Sequence, residues 1–443
     1  MKNKALTAAL SSAVAVTLLA GCGSGTASGT GQEATADTAA AEETAEAETE
    51  EDAPQEEIDY GTGEIKVWVA DNAVDFTNQQ IKAFQEANPD FSGYSMVVEA
   101  TGEGDAAGNM ITDVEAGADI YVFAQDQIAR LVSAGALEEV APENVEAVKA
   151  ANDAGAVAAA TVGDILYAYP LTSDNGYFMY YDKSVVKDPS DLDAILADCE
   201  AAGKSFYMEI NSGWYQTAFF FGTGCTLSYE TDNDGNFTAA NVDYASDAGV
   251  VALKEMIHLN NSPAFVNGSS VGAADAAKMA AIVDGTWDAQ AAKDALGDNY
   301  ACAKLPSFKG ADGKTYQLSG FSGYKLLGVK PQEDEGKLMV CDALAQFLSG
   351  GEVQLARYES VGWGPSNLEV QKSEKVMADE ALTALNEQML NDVPQGQYPG
   401  DYWTLATGLG DSVINGEISD KTSDADLLAK LQEFQDTCIS YAK

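Results

Sequence analysis

The chain of 443 residues is poor in the residues that most enzymes and anion receptors depend on. It has one histidine, His258, and two arginines, Arg130 and Arg357. A single histidine excludes any multi-histidine metal centre. Two arginines leave little material for bidentate clamps on phosphate or carboxylate. Positive charge is scarce throughout, with 24 Lys and Arg against 70 Asp and Glu and a formal net charge of −46. So acidic a protein is repelled by nucleic acid and by anionic membrane surfaces. No two of the cysteines are spaced C-x-x-C, so neither a zinc site nor a redox motif is indicated. What remains is ordinary globular material, 46% hydrophobic and long enough for two or more domains. Five tryptophans stand out within it.

The amino terminus reads as an address. Lys2 and Lys4 precede a small and apolar run, Ala5 to Ala20, of the length of a signal-peptide core and too short for a confident membrane span. It ends in Leu19-Ala20-Gly21-Cys22, which resembles the lipobox of bacterial lipoproteins. That resemblance implies cleavage after residue 21 and diacylglycerol on the Cys22 thiol, a membrane anchor when a second acyl chain is added. From Gly23 to Gly63 there are twelve acidic residues and no basic one. Such a segment cannot bury enough apolar surface to offset its ordering entropy, and like charges extend it. Residues 22–62 therefore read as a lipidated cysteine and a disordered tether. Beyond Gly63 the balance is 58 acids to 22 bases, so the body is strongly acidic too.

From Gly63 onward strands alternate with helices. The pattern predicts strands at Ile65–Val69, Ser95–Glu99, Asp119–Phe123, Ile165–Leu171, Tyr177–Tyr181, Met279–Val283 and Gly320–Val329. It predicts helices capped by Thr77, around Met110 and Leu131, and at Leu192–Ala202, Gly213–Gly222, Ala245–Leu259, Leu338–Phe347 and Ala425–Ser440. This alternation implies an α/β fold of mainly parallel sheets flanked by helices, with ligands bound beyond the carboxyl ends of the strands. Cys199, Cys225, Cys302, Cys341 and Cys438 are odd in number, and no pairing follows from their positions. Glu230-Thr231-Asp232-Asn233-Asp234-Gly235 partly resembles a calcium loop, but Asn241 occupies the place of its final glutamate, so it reads as a turn.

Five motifs in order carry a wider resemblance. They are Ala118-Asp119-Ile120-Tyr121-Val122-Phe123-Ala124-Gln125-Asp126, Tyr167-Ala168-Tyr169-Pro170-Leu171 with Tyr180-Tyr181-Asp182-Lys183, Met279 to Gly285-Thr286-Trp287, Leu305-Pro306-Ser307-Phe308-Lys309-Gly310, and Tyr402-Trp403. Together they resemble the maltose/maltodextrin-binding family, the extracellular solute-binding proteins of sugar ABC transporters. The resemblance implies a two-lobed periplasmic-binding-protein-like fold of type II, closing by hinge motion. It places lobe 1 at 63–172 plus about 319–367, and lobe 2 at 173–318 plus about 368–443. The expected partners are a neutral sugar, permease subunits and a membrane held through Cys22. No nucleic acid, cofactor, metal or catalytic residue is expected, and the protein is expected to be a monomer.

A sugar offers hydroxyls at its rim and apolar C–H faces, so carboxylates, amides and aromatic rings should line its site. The residues expected to bind ligand are Asp71, Asn72, Gln125, Asp126, Asp174, Trp214, Trp287, Trp363, Tyr402 and Trp403, with Trp68 assigned to the core. Maltose-type members carry a basic residue after the first and third loop carboxylates and an arginine after the C-terminal aromatic pair. Here Asn72, Gln127 and residues 405–410 supply none, which points away from maltose itself and towards another neutral oligosaccharide. Two rivals share these residue types. One is a polyamine or ferric-ion receptor of the same fold, given Tyr180-Tyr181; the other is a glycoside-active enzyme using a carboxylate pair.

Overall fold

The computed structural model describes residues 59–442. The expected signal peptide, Cys22 and all but the end of the expected tether lie outside them. Two five-stranded sheets organise the described residues. The first uses β1 (Gly63–Val69), β2 (Tyr94–Ala100), β3 (Ile120–Ala124), β4 (Ala168–Thr172) and a late strand, Lys325–Val329. The second uses β5 (Phe178–Asp182), β6 (Ser205–Tyr207), β7 (Phe265–Val266), β8 (Met279–Asp284) and β9 (Tyr300–Ala303). With Lys325–Val329 as β10, the orders are β2-β1-β3-β10-β4 and β7-β6-β8-β5-β9.

The sheets are mixed where mainly parallel ones were expected. In the first, β1 runs parallel to β2 and β3, but β10 is antiparallel to both β3 and β4. In the second, β6 is parallel to β7 and β8, and β5 is antiparallel to β8 and β9. The antiparallel pairings arise where the chain passes between sheets: β4 leads directly into β5, and β10 returns from the second sheet to the first. A strand entering from the far side meets its neighbours head-on.

Burial follows residue type along each strand. β1 alternates, with Ile65, Val67 and Val69 inward, whereas every residue of β8 and β10 is buried. Trp68 falls in the outward phase of β1 and donates from Nε1 to Glu99 at 2.9 Å, so it is a partly covered surface residue and not core. Asp191, Ser246, Asp334 and Ser423 cap the helices 192–202, 247–260, 335–349 and 424–440 through backbone N–H groups. Thr77, expected as a cap, lies inside the helix Val74–Ala87 and donates to the Ala73 carbonyl instead. The expected helix at 213–222 is confined to Thr217–Gly222. The five cysteines from Cys199 onward are free thiols. Asp232 closes a hairpin turn by accepting from the N–H groups of Asp234 and Asn236, as the turn reading of that segment expected.

Three crossings lie side by side. Ser173 N–H donates to the Gly364 carbonyl at 3.0 Å and Asn175 N–H to the Gly323 carbonyl at 3.1 Å, so residues 173–175, 322–323 and 364–365 form one bundle. Asp174 sits at its centre, 1% exposed. Its Oδ2 accepts from Gly364 N–H at 2.5 Å and from the Thr286 hydroxyl at 2.6 Å. A Cβ on residue 364 would lie 2.8 Å from the Asp174 Cβ, which is why glycine stands there.

Candidate functional site

Each of three strands ends in a single turn of 3₁₀ helix followed by an α-helix. β1 runs into Asp71–Ala73, β3 into Gln125–Gln127 and β8 into Thr286–Asp288. These turns face one cavity of about 840 Å³, within the size range of small-molecule sites. Asp71, Asn72 and Asp126 line it from the first sheet, and Trp287 and Asp288 from the second. Trp214 and Trp403 close one side, and Trp363 reaches it from the crossing bundle. Trp214, Trp287 and Trp403 are half-buried, each with ring surface left free. Trp214 stacks on Phe321 at 5.2 Å, and Trp403 leans on Tyr398 and Tyr402 at 5.6 and 4.8 Å. The spacing of the Gly285-Thr286-Trp287 motif has a packing reason. The Trp287 ring folds back over Gly285 so closely that a Cβ there would lie 2.2 Å from it.

Seven of the ten expected residues therefore meet in the cavity wall. Gln125, Asp174 and Tyr402 do not. The Gln125 side chain is buried and turned away, donating from Nε2 to the Gln395 carbonyl, while Gln397 donates back to the Gln125 carbonyl at 2.8 Å. It fastens residues 395–398 to the first sheet. Asp174 is spent on Gly364 and Thr286, the neighbours of Trp363 and Trp287, and so positions both tryptophans from behind. Tyr402 is 1% exposed and donates to the Gly213 carbonyl at 3.3 Å. Successive helix residues point about 100° apart, so in the helix Gly400–Ile414 the ring of Trp403 reaches the cavity while that of Tyr402 enters the core.

The cavity also holds residues that the sequence reading passed over: Glu103, Asp105 and Asn109 after β2, Arg130, Asn175, Tyr215, Asp288, Lys325 and Gln395. Two of these are cations, supplied from positions other than Asn72, Gln127 and residues 405–410. Lys325 is 3% exposed, pairs with Glu103 at 3.4 Å and stands 4.0 and 5.2 Å from the rings of Trp363 and Trp287. A lone lysine heading the apolar run Lys325–Val329 was a legible signal, because a charge in a wholly buried strand needs a partner. Arg130 lies one helical turn beyond Asp126, and its guanidinium lies against Gly400.

Burial pushes the Asp126 carboxyl up to about 7, against the opposing pull of Arg130. Burial likewise raises Asp392 and Glu255 to about 7. These acids bind protons more tightly folded than unfolded, so the cost of ionising them is absent below the usual carboxylate range and complete above about pH 7. The ligand-free protein should therefore melt at a higher temperature near about pH 5.5 than near about pH 8. Calorimetry at constant ionic strength checks this; an unchanged or higher midpoint at the alkaline value would contradict it.

Among the described residues no group of His, Cys, Asp and Glu is arranged to hold a metal, and no helix is long and apolar enough to cross a membrane. Tyr180 is buried and donates to the Gly285 carbonyl at 2.8 Å, which makes it a packing residue of β5. Comparison with known proteins places these features. The family model of bacterial extracellular solute-binding proteins matches residues 79–384. The chain belongs to that family. Its relatives include the maltooligosaccharide ABC transporter solute-binding lipoprotein of Streptococcus pneumoniae serotype 4, 25% identical over 409 residues, covering 85% of this chain and 90% of the relative. A solved structure described as being with acarbose is 30% identical at a TM-score of 0.75, covering 86% of this chain and all of the other. The ligand-free maltodextrin-binding protein MalE1 of L. casei BL23 shares the fold, with a TM-score of 0.71, 24% identity and coverage of 86% and 99%. This solute-binding protein thus has the two-lobed α/β architecture of its family.

Proposed function

We propose that this solute-binding protein is a lipoprotein held at the outer face of the cell membrane through Cys22, capturing a neutral maltooligosaccharide-type carbohydrate for delivery to an ABC importer, and that it is not an enzyme. One observation carries the reading: three half-buried tryptophans from separate segments open onto a cavity whose polar wall is mostly carboxylates and amides, with Lys325 and Arg130 the two cations among them. Rings of that kind cover the C–H faces of sugars, and the polar groups suit hydroxyl pairs. The names of the relatives support the same ligand class. We further propose that the lobes are 63–172 with about 319–367 and 173–318 with about 368–443, hinged at the crossing bundle around Asp174, and that the protein acts as a monomer.

A ligand panel read by thermal shift tests the function. Maltotetraose should raise the midpoint, and amino acids, phosphate and metal ions should not. A shift from putrescine or iron alone would replace the sugar by a cation. Incubation with maltotetraose should release no new reducing ends; their appearance would make the protein a glycosidase. Trp287→Ala should weaken sugar binding by about 1–3 kcal/mol through lost apolar contact, as titration calorimetry would show. Unchanged affinity in a folded variant would remove Trp287 from the site.

A further inference from the structure

Asp284 and Asp288 stand at the two ends of the turn that carries Trp287. Both carboxylates accept from one donor, the backbone N–H of Val271, at 3.2 and 2.9 Å. Asp284 is fully buried, and its other oxygen accepts from Gly285 N–H at 2.8 Å. The Gly285 carbonyl in turn accepts from the Tyr180 hydroxyl at 2.8 Å. The peptide on which the Trp287 ring rests is therefore gripped from both sides, by Asp284 and by Tyr180.

The titratable groups that face Asp284 from the packed elements are Asp288 on its own turn, the phenols of Tyr180 and Tyr215, and, beyond Tyr215, the Glu209 carboxylate. None of these is a cation. Lys325 bears on the turn through the ring of Trp287, and its ammonium group is paired with Glu103. Two carboxylates converging on one N–H, with no positive charge facing them, cannot both be ionised at low cost. Burial, followed by the charge of Asp288, pushes Asp284 well above the ordinary carboxylate range. Its surroundings therefore favour the protonated form of Asp284.

We propose that Asp284 is a positioning residue for ligand binding: its un-ionised carboxyl donates to Asp288 and locks the turn that presents Trp287 and Asp288 to the ligand. Loss of that proton at alkaline pH sets two carboxylates against each other, loosens the turn and lowers affinity. The ligand part of this inference rests on the carbohydrate reading above, whereas the locking of the turn does not.

The test is the affinity of the full chain for maltotetraose, measured by calorimetry from about pH 6 to about pH 10 at constant ionic strength. Wild-type affinity should hold and then fall by up to about tenfold per pH unit on the alkaline side. Asp284→Asn, whose amide donates the same bond without an ionisable proton, should bind within about threefold of wild type at neutral pH and keep that affinity at alkaline pH. Lys325→Met should retain the alkaline fall. A flat wild-type profile, a fall that persists in Asp284→Asn, or a fall abolished by Lys325→Met would each overturn the proposal. Ligand-free protein gives a second readout. The fluorescence difference between wild type and Trp287→Phe should change over the same pH range and be constant on the Asp284→Asn background. A constant difference in wild type would overturn the locking role. If maltotetraose fails to bind at every pH, the carbohydrate reading falls while this signal still decides the carboxyl pair.

Discussion

Asp174→Ala should lose about 3–5 kcal/mol of stability in urea denaturation, because it strips two buried donors of their acceptor and removes the carboxylate whose charge offsets the burial of Arg357. The Arg357 guanidinium is 5% exposed, donates to the Leu348 carbonyl at 2.5 Å and lies 5.5 Å from the Phe76 ring. Burial lowers it to about 9 while the charge of Asp174 opposes that fall. Removing Asp174 leaves that charge uncompensated and strands the Thr286 hydroxyl and the Gly364 N–H without their acceptor. Asp174→Asn keeps one acceptor oxygen and no charge, so it should fall between wild type and alanine. Sugar affinity should weaken along with stability in the alanine variant, because Thr286 and Gly364 adjoin Trp287 and Trp363. An alanine variant within about 1 kcal/mol of wild type would show that the crossing bundle holds without this carboxylate.

The second large effect separates two tryptophans that the same cavity touches. Trp363 is 1% exposed and belongs to the core beneath the first sheet. Trp363→Ala should therefore cost about 3–5 kcal/mol of stability, from lost burial and the cavity left behind. It also deprives the nearly buried ammonium of Lys325 of the ring 4.0 Å away. Trp287, half-buried over Gly285, has much less to lose in the unliganded fold, so its alanine variant should show a loss of affinity with little change in denaturation midpoint. Paired denaturation and binding measurements on the two variants check the contrast. Equal stability losses in both would mean that Trp287 is as much a core residue as Trp363.

How far the site was legible depended on the kind of element that carried each residue. Asp71, Asn72 and Asp126 follow apolar strands directly, and the carboxyl end of a strand in such a sheet faces a crevice whatever the sequence around it. Trp287 was marked by the glycine two places before it, which its ring requires. Gln125 and Asp126 were adjacent candidates on one loop, and only the packing of residues 395–398 decided which of them faced inward. Tyr402 and Trp403 posed the same problem on a helix, where one step of rotation separates the core from the cavity. Trp68 was misplaced because an apolar neighbourhood in sequence does not tell which face of a half-buried strand a ring occupies.

Local chemistry determined a great deal here. Helix caps, strand periodicity, the Cys22 motif, the acidic run before Gly63 and the five motifs are all set by residues near one another along the chain. Tertiary structure alone decided the rest. The antiparallel returns of β5 and β10, the meeting of Asp174 with Thr286 and Gly364, and the convergence of Asp284 and Asp288 on Val271 join residues far apart in the chain or across a turn. Lys325 and Arg130 came into a cavity whose neighbouring loops lacked any cation, because a wall assembled from several segments draws its charge from all of them. A scarcity of positive charge can be counted in a sequence. Where the few cations stand is settled only by which buried carboxylates and rings the fold brings within reach of them.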